Sequence, residues 1–209
     1  MRKITVNSFL SLDGVLQAPG GPGEDTSGHF KFGGWSVHYW NEAVGRYMDE
    51  LYKQPYDLLL GRKTYNIFAG YWPFKDNEMG RQFTKANKYV ATHTLQSAAW
   101  ENTTLLNKDT IQQVRDLKAQ QGIDLLIYGS ASFVQSLLAE KLVDELNIWT
   151  FPLLLGQGKR LFDGHAAPCN LEMTAHSVFS TGLTFAQYRP AGNIVTGSFD
   201  DDGPSTQGQ

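Results

Sequence analysis

The sequence predicts an α/β protein: a central mixed, mostly parallel sheet flanked by helices and finished by an antiparallel hairpin. Two observations carry this. Through the early and middle parts of the chain, short apolar or alternating runs that suit strands take turns with stretches of helical spacing, the pattern of parallel sheets covered by helices. Near the end, residues 171–180 and 184–189 form two strand-like runs joined across Thr181-Gly182, a pair that suits a tight hairpin turn.

The elements follow in order. Residues 2–9 alternate, with Ile4 and Val6 on one face, and form a strand. Residues 11–25 are rich in Gly and Pro and form a loop. Residues 30–40, rich in Gly and aromatics, are irregular. Ala43, Val44, Tyr47, Met48 and Leu51 recur at helical spacing over 41–53, with Asn41 as N-cap and Pro55 as the stop. Residues 57–60 are a buried strand, 63–69 a short helix, and 88–91 and 103–106 two further strands. Residues 110–120 form a helix that starts on Asp109 and has Gly122 at C′. A strand at 124–128, a helix at 131–140 with Phe133, Leu137 and Leu138 inward, and a strand at 143–151 complete the alternation. The expected domain is 1–190. Residues 191–209, rich in Gly, Ser, Asp and Gln, are expected to be a mobile acidic tail.

Composition removes several function classes. The chain has 209 residues, 41% of them apolar, enough for a substantial core. No apolar run is long enough to cross a bilayer and the N-terminus lacks signal-peptide features, so a cytoplasmic protein without membrane partners is expected. Asp200, Asp201 and Asp202 supply three of the 21 acids and no base follows them, so residues 1–197 balance 18 bases against 18 acids. A neutral body lacks the positive field of a nucleic-acid binder. The single cysteine, Cys169, excludes an internal disulfide. His29, His38, His93, His165 and His176 show no ligand spacing, so no metal is expected.

Two strand-to-helix junctions are suited to phosphate. In Leu60-Gly61-Arg62-Lys63-Thr64, free helix N–H groups, a glycine and two bases converge. In Tyr128-Gly129-Ser130-Ala131-Ser132-Phe133, small side chains leave backbone amides accessible. Each alone also reads as a plain turn, but a dinucleotide has several phosphates to hold. Neither has the Gly-x-Gly-x-x-Gly spacing. Thr92, His93 and Thr94 end a strand where open α/β sheets bind ligands. Asp13-Gly14 ends the first strand as a polar group or a simple turn. Thirteen of the 26 aromatics fall between Phe30 and Phe74, and Trp35 follows two glycines there, a plausible wall for a planar ring. Residues 152–162, with Leu155 and Gly156, form a flexible glycine loop.

In this order, Ser11-Leu12-Asp13-Gly14, Gly33-Gly34-Trp35, Leu60-Gly61-Arg62-Lys63-Thr64-Tyr65, Tyr128-Gly129-Ser130 and Leu155-Gly156-Gln157-Gly158-Lys159-Arg160 resemble the dihydrofolate-reductase-like superfamily. Within it the chain is most similar to the C-terminal reductase domain of the bifunctional riboflavin-biosynthesis deaminase/reductase. The resemblance implies a three-layer fold, NADPH as cofactor, a homodimer, and hydride transfer to a small heterocyclic substrate, as in 5-amino-6-(5-phosphoribosylamino)uracil reductase. It implies that Gly61, Arg62, Lys63 and Thr64 meet cofactor phosphates, that Thr92, His93 and Thr94 lie by the adenosine ribose, and that Gly129, Ser130, Ala131, Ser132 and Phe133 cradle the pyrophosphate. Gly14, Trp35, Leu155 and Gly156 would border the substrate, with Asp13 or Tyr128 as proton donor. Where the riboflavin reductase domain carries a glutamate just before the small-residue turn, this chain carries Tyr128. The competing expectations are a non-catalytic ligand-binding protein on the same fold and a partner-binding domain using the Trp-rich segment.

Overall fold

A computed structural model describes residues 1–164 and 166–199. Eight strands form one sheet: β1 (Ile4–Ser11), β2 (Asp57–Gly61), β3 (Lys88–Ala91), β4 (Thr103–Leu106), β5 (Leu125–Ile127), β6 (Glu145–Phe151), β7 (Leu171–Val178) and β8 (Thr184–Pro190). Their order is β4-β3-β2-β5-β1-β6-β8-β7. The first six positions in that order are parallel, and β8 and β7 join antiparallel. Every parallel strand therefore ends on the same edge of the sheet, which is where ligands bind in open α/β folds.

The helices are α1 (Glu42–Leu51), α2 (Arg62–Ala69), α3 (Glu78–Lys85), α4 (Thr110–Ala119) and α5 (Ala131–Ala139). The alternation within β2 shows how they divide. Leu59 joins Val114 and Leu117 of α4 and Phe133, Val134 and Leu137 of α5 in one core. Leu58 and Leu60 point the other way, onto Tyr65 of α2 and Phe83 of α3. A third, aromatic core gathers Val44 and Met48 of α1 against Trp149, Phe151 and Phe185. A strand with two apolar faces is what a helix-covered parallel sheet requires. Among the described residues no helix is long and apolar enough to cross a membrane.

The caps at Asn41 and Asp109 are present: their side chains accept from Val44 N at 3.0 Å and Gln112 N at 3.1 Å. Three readings need correction. α3 was not expected. It is short, carries Gly80 near its start, and depends on packing, because a Cβ on Gly80 would lie 2.4 Å from the Lys75 carbonyl. Gly122 does not terminate α4, which ends at Ala119 on an extended Gln120; Gly122 packs against the buried Arg2 side chain instead. The irregular stretch 30–40 contains a 3-10 turn, Val37–Tyr39. Of the expected tail, residues 191–199 are exposed and irregular, and Asn170 bonds Gly192 and Asn193 at their start. Residues 200–209 and His165 lie outside the described residues.

Candidate active site

The two junctions singled out in the sequence meet. β2 and β5 are neighbours, and Gly61 N donates to the Gly129 carbonyl at 3.0 Å. A Cβ on Gly61 would sit 2.3 Å from Ser130 Oγ and 2.8 Å from Ser130 N. One on Gly129 would sit 2.8 Å from Thr64 Oγ1. Gly129 has φ +140, and the Gly129–Ser130 peptide is cis. The turns are thus locked together by the absence of two side chains.

The helices that begin at these turns differ from the others. α1, α3 and α4 are capped by Asn41, Asn77 and Asp109. α2 and α5 start on Gly61 and Ser130 with no side-chain cap. Their first-turn N–H groups, each unable to bond within its helix, stand beside one another with Lys63 and Thr64. Among the described residues neither Arg62 nor Lys63 has an ion-pair partner. Paired helix dipoles with unpaired cations are the arrangement that holds an anion.

Lys63, Thr64, Ser130 and Ala131 also form part of the wall of a cavity of about 380 Å³. Its remaining wall comes from β1 (Ser8, Phe9), the loop 16–25, Ser36, Val37, Trp40, Met48, the helix α2 (Ile67, Phe68), Trp72, Met79, Phe83, Tyr128 and Lys159. The charged side chains on this wall are partly or largely exposed, whereas Ser8, Met48 and Phe83 are buried. The cavity therefore has a charged rim and an aromatic floor.

Two side-chain systems keep its loops in place. Asp13 accepts from Ser11 Oγ at 2.7 Å, Leu155 N at 3.1 Å and Gly156 N at 2.9 Å, and pairs with Arg160. Lys159 pairs with Asp25 and bonds Ser27 Oγ, while Gln17 accepts from Lys159 N and donates to the carbonyls of Asp25 and Ser27. Together they stitch the loop after β1 to the loop after β6.

Gly61, Lys63, Thr64, Gly129, Ser130 and Ala131 come together. Arg62 is partly buried and off the cavity wall. Thr92 is buried and its hydroxyl accepts from Thr94 N and Leu95 N, so it shapes the turn after β3; His93 and Thr94 are exposed at the same sheet edge. Ser132 is exposed, and Phe133 turns away into the α4/α5 core. Gly14, with φ +80, makes the turn that lets its carbonyl accept from Leu161 N. Leu155 and Gly156 serve as Asp13's donors.

Trp35 is off the cavity: it is buried against Phe151, with Nε1 donating to the Gln17 carbonyl at 2.7 Å. Trp40 stands on the wall instead. Asp13 is also off the wall, and the Ser11 hydroxyl together with the Leu155 and Gly156 amides holds its carboxyl well below the usual range. A group kept ionised in this way has no proton to give. Tyr128 does line the cavity, but its hydroxyl is buried without a hydrogen-bond partner among the described residues, and burial pushes its pKa well up.

Sequence patterns gave no sign of Glu24. Burial raises its carboxyl pKa, and Oε2 accepts from Gly20 N at 2.6 Å. Burial also pulls Asp25 upward, but hydrogen bonds from Lys159 and Ser27 outweigh it and leave that carboxyl below its ordinary value. The two adjacent acids are thus pushed in opposite directions by their surroundings. No local motif announces this, because the wall is assembled from residues scattered between Ser8 and Lys159.

Residues 2–185 match the RibD C-terminal domain. The chain belongs to the RibD C-terminal domain family. Among curated proteins the chain is similar to YyaP of Bacillus subtilis (strain 168), uncharacterized, 29% identical over 192 residues that cover 90% of this chain and 94% of YyaP. YwjB of the same organism, also uncharacterized, is 26% identical over 77% of this chain and 83% of its own. The fold is shared with a Shewanella sp. PV-4 protein assigned to riboflavin biosynthesis, at a TM-score of 0.70 and 22% identity, covering 91% of this chain and 99% of that one. A pyrimidine reductase-like protein of Corynebacterium diphtheriae superposes with a TM-score of 0.61 at 12% identity, over 91% of this chain and 92% of that one.

In this RibD C-terminal domain protein, Gly61→Ala forces a methyl into Ser130. The variant should lose roughly 1–3 kcal/mol of stability, the cost of overpacking a filled site, read from urea unfolding. An unchanged midpoint would mean that the turns are not in contact.

Proposed function

We propose that this protein is an NADPH-dependent reductase of a small-molecule substrate. The turns at 61–64 and 129–132 would hold the cofactor's phosphates, and the adjoining cavity would receive the acceptor. The observation that carries this is the pair of uncapped helix starts, α2 and α5, side by side on the cavity rim with Lys63, which has no ion-pair partner among the described residues. His93 and Thr94, exposed at the end of β3 beside β2, are suited to the adenosine end, with Arg62 at the end of that neighbouring strand. When bound, NADPH supplies the hydride.

The chain's own part is to orient, to exclude water and to deliver a proton. The aromatic floor keeps water out of the reacting space. Glu24 is the acid this reading assigns as proton donor. Oε2 is engaged by the Gly20 amide, which leaves Oε1 as the oxygen that would carry the proton. Asp25, ion-paired to Lys159, stays charged and opposes ionisation of its neighbour. Asp13 is replaced in this role because it braces the loops, and the buried Tyr128 hydroxyl is less accessible than the partly exposed Glu24. The cytoplasm suits such a reductase, and a homodimer is part of the same reading: Leu171, Met173 and Val178 are exposed along the free edge strand β7 and would be covered in it.

Calorimetric titration tests the cofactor. NADPH should bind, Lys63→Ala should weaken it about tenfold, a share typical of a charge-assisted phosphate contact, and Arg62→Ala should weaken NADPH more than NADH. Absence of binding at millimolar NADPH overturns the reading. For the proton, turnover should fall as pH rises through the raised Glu24 pKa, since the neutral acid is the active form. Glu24→Gln should remove that limb and cut turnover by roughly 10²–10⁴, the usual worth of a general acid; an unchanged pH profile would exclude Glu24.

A further inference from the structure

The cavity wall also constrains what the acceptor is. We propose that it takes an uncharged, flat, conjugated ring compound that carries no phosphate. This builds on the reductase reading for the fate of the ring, but not for its binding.

The floor and sides are made of Phe9, Trp40, Phe68, Trp72, Phe83 and Tyr128, with Met48 and Met79 between them. They already pack as rings do. Phe68 stacks on Phe83 with centroids 5.4 Å apart, Trp72 meets Phe83 edge-on at 5.0 Å, and Phe9 meets Trp40 edge-on at 5.5 Å. Such walls offer a flat guest the offset and edge-to-face contacts that aromatic pairs prefer, and the methionine side chains adapt to its outline. About 380 Å³ accommodates a ring system of one or two fused rings and lies at the small end of the range of ligand sites.

The charges argue against a phosphoribosyl group. The wall carries Lys63 and Lys159 against Glu24 and Asp25, with no arginine among the described residues. Lys159 is committed to Asp25 and Ser27, and Lys63 belongs to the anion-binding turns. A phosphate left among aromatics without a cation bears its full desolvation cost. Two hydroxyls on the wall, those of Ser8 and Tyr128, have no partner among the described residues and remain for recognition. Ser8 lines the cavity, is 3% exposed, and its Oγ has no hydrogen-bond partner among the described residues. A buried hydroxyl of this kind gains from a ring carbonyl or ring nitrogen presented to it.

Equilibrium binding to the full chain, without cofactor, tests this. The probes are menadione, a neutral two-ring quinone, and uridine monophosphate, a phosphoribosyl pyrimidine; quenching of tryptophan fluorescence and calorimetry are the readouts. Menadione should bind at least about tenfold more tightly than uridine monophosphate, and Trp40→Leu should weaken menadione by roughly tenfold, the worth of a good ring–ring contact. Ile67→Asp, on the partly exposed face of α2, is the second variant and should weaken it likewise. Preference for uridine monophosphate, no menadione binding, or binding untouched by both substitutions overturns the proposal. A parallel NADPH titration separates the two claims: menadione binding without NADPH binding defeats the reductase reading alone, and NADPH binding with preference for the phosphorylated probe defeats this one alone.

Discussion

The contact between Gly61 and Ser130 is the constraint on which the site rests. Two adjacent parallel strands end together, and each continues into a helix within a few residues. The backbones can come this close only because position 61 has no side chain: any Cβ there would fall inside Ser130. Once the turns touch, α2 and α5 leave from the same point toward opposite faces of the sheet, and their unbonded amides are presented side by side. The meeting of these two helix starts at the rim is thus a consequence of strand order. β2 sits next to β5 although β3, β4 and the helices α2, α3 and α4 lie between them in the chain.

The second requirement is rigidity in the loops that complete the cavity. The loops after β1 and β6 have little regular structure, and loops of this kind are ordinarily mobile. Here charged side chains act as internal stitching. Asp13 collects two backbone amides, a hydroxyl and a guanidinium, and Lys159, in the loop after β6, ties down Asp25 and Ser27 in the loop after β1. The same stitching divides the labour among the acids. Asp13 and Asp25 are consumed in holding shape, and Glu24, held by backbone amides, is left partly buried and protonatable. Packing on the far side does the rest, since Trp35 locks onto Phe151 and lets Trp40 face inward.

Much of this is legible in the residues. Buried strands such as Leu58-Leu59-Leu60 stand out because both faces are covered, and helix caps at Asn41 and Asp109 are local signals with local causes. The two phosphate-type turns are legible in the same way, because glycine and small residues at a strand–helix junction mark the close backbone approach by themselves. What the sequence hides depends on contacts distant along the chain. α3 carries a glycine in its first turn and owes its existence to Lys75 and to the packing of Phe83 in the core. Trp35 and Trp40 are alike by composition, and only the fold decides which one faces the cavity. Asp13 looks chemical because it follows a strand end beside the site, yet the amides it binds belong to Leu155 and Gly156, on the far side of the sequence. Glu24 sits in a stretch of glycines and prolines that carries no periodicity, and its raised pKa arises from burial that no local pattern encodes.

The most direct test of the central claim is a crystal structure of the protein with NADPH bound. The account predicts the pyrophosphate lodged between the amides of residues 61–64 and 129–132, with Lys63 against it and the reduced ring directed toward Phe9 and Trp40. A dinucleotide bound elsewhere, or ordered with its phosphates away from both turns, would contradict it.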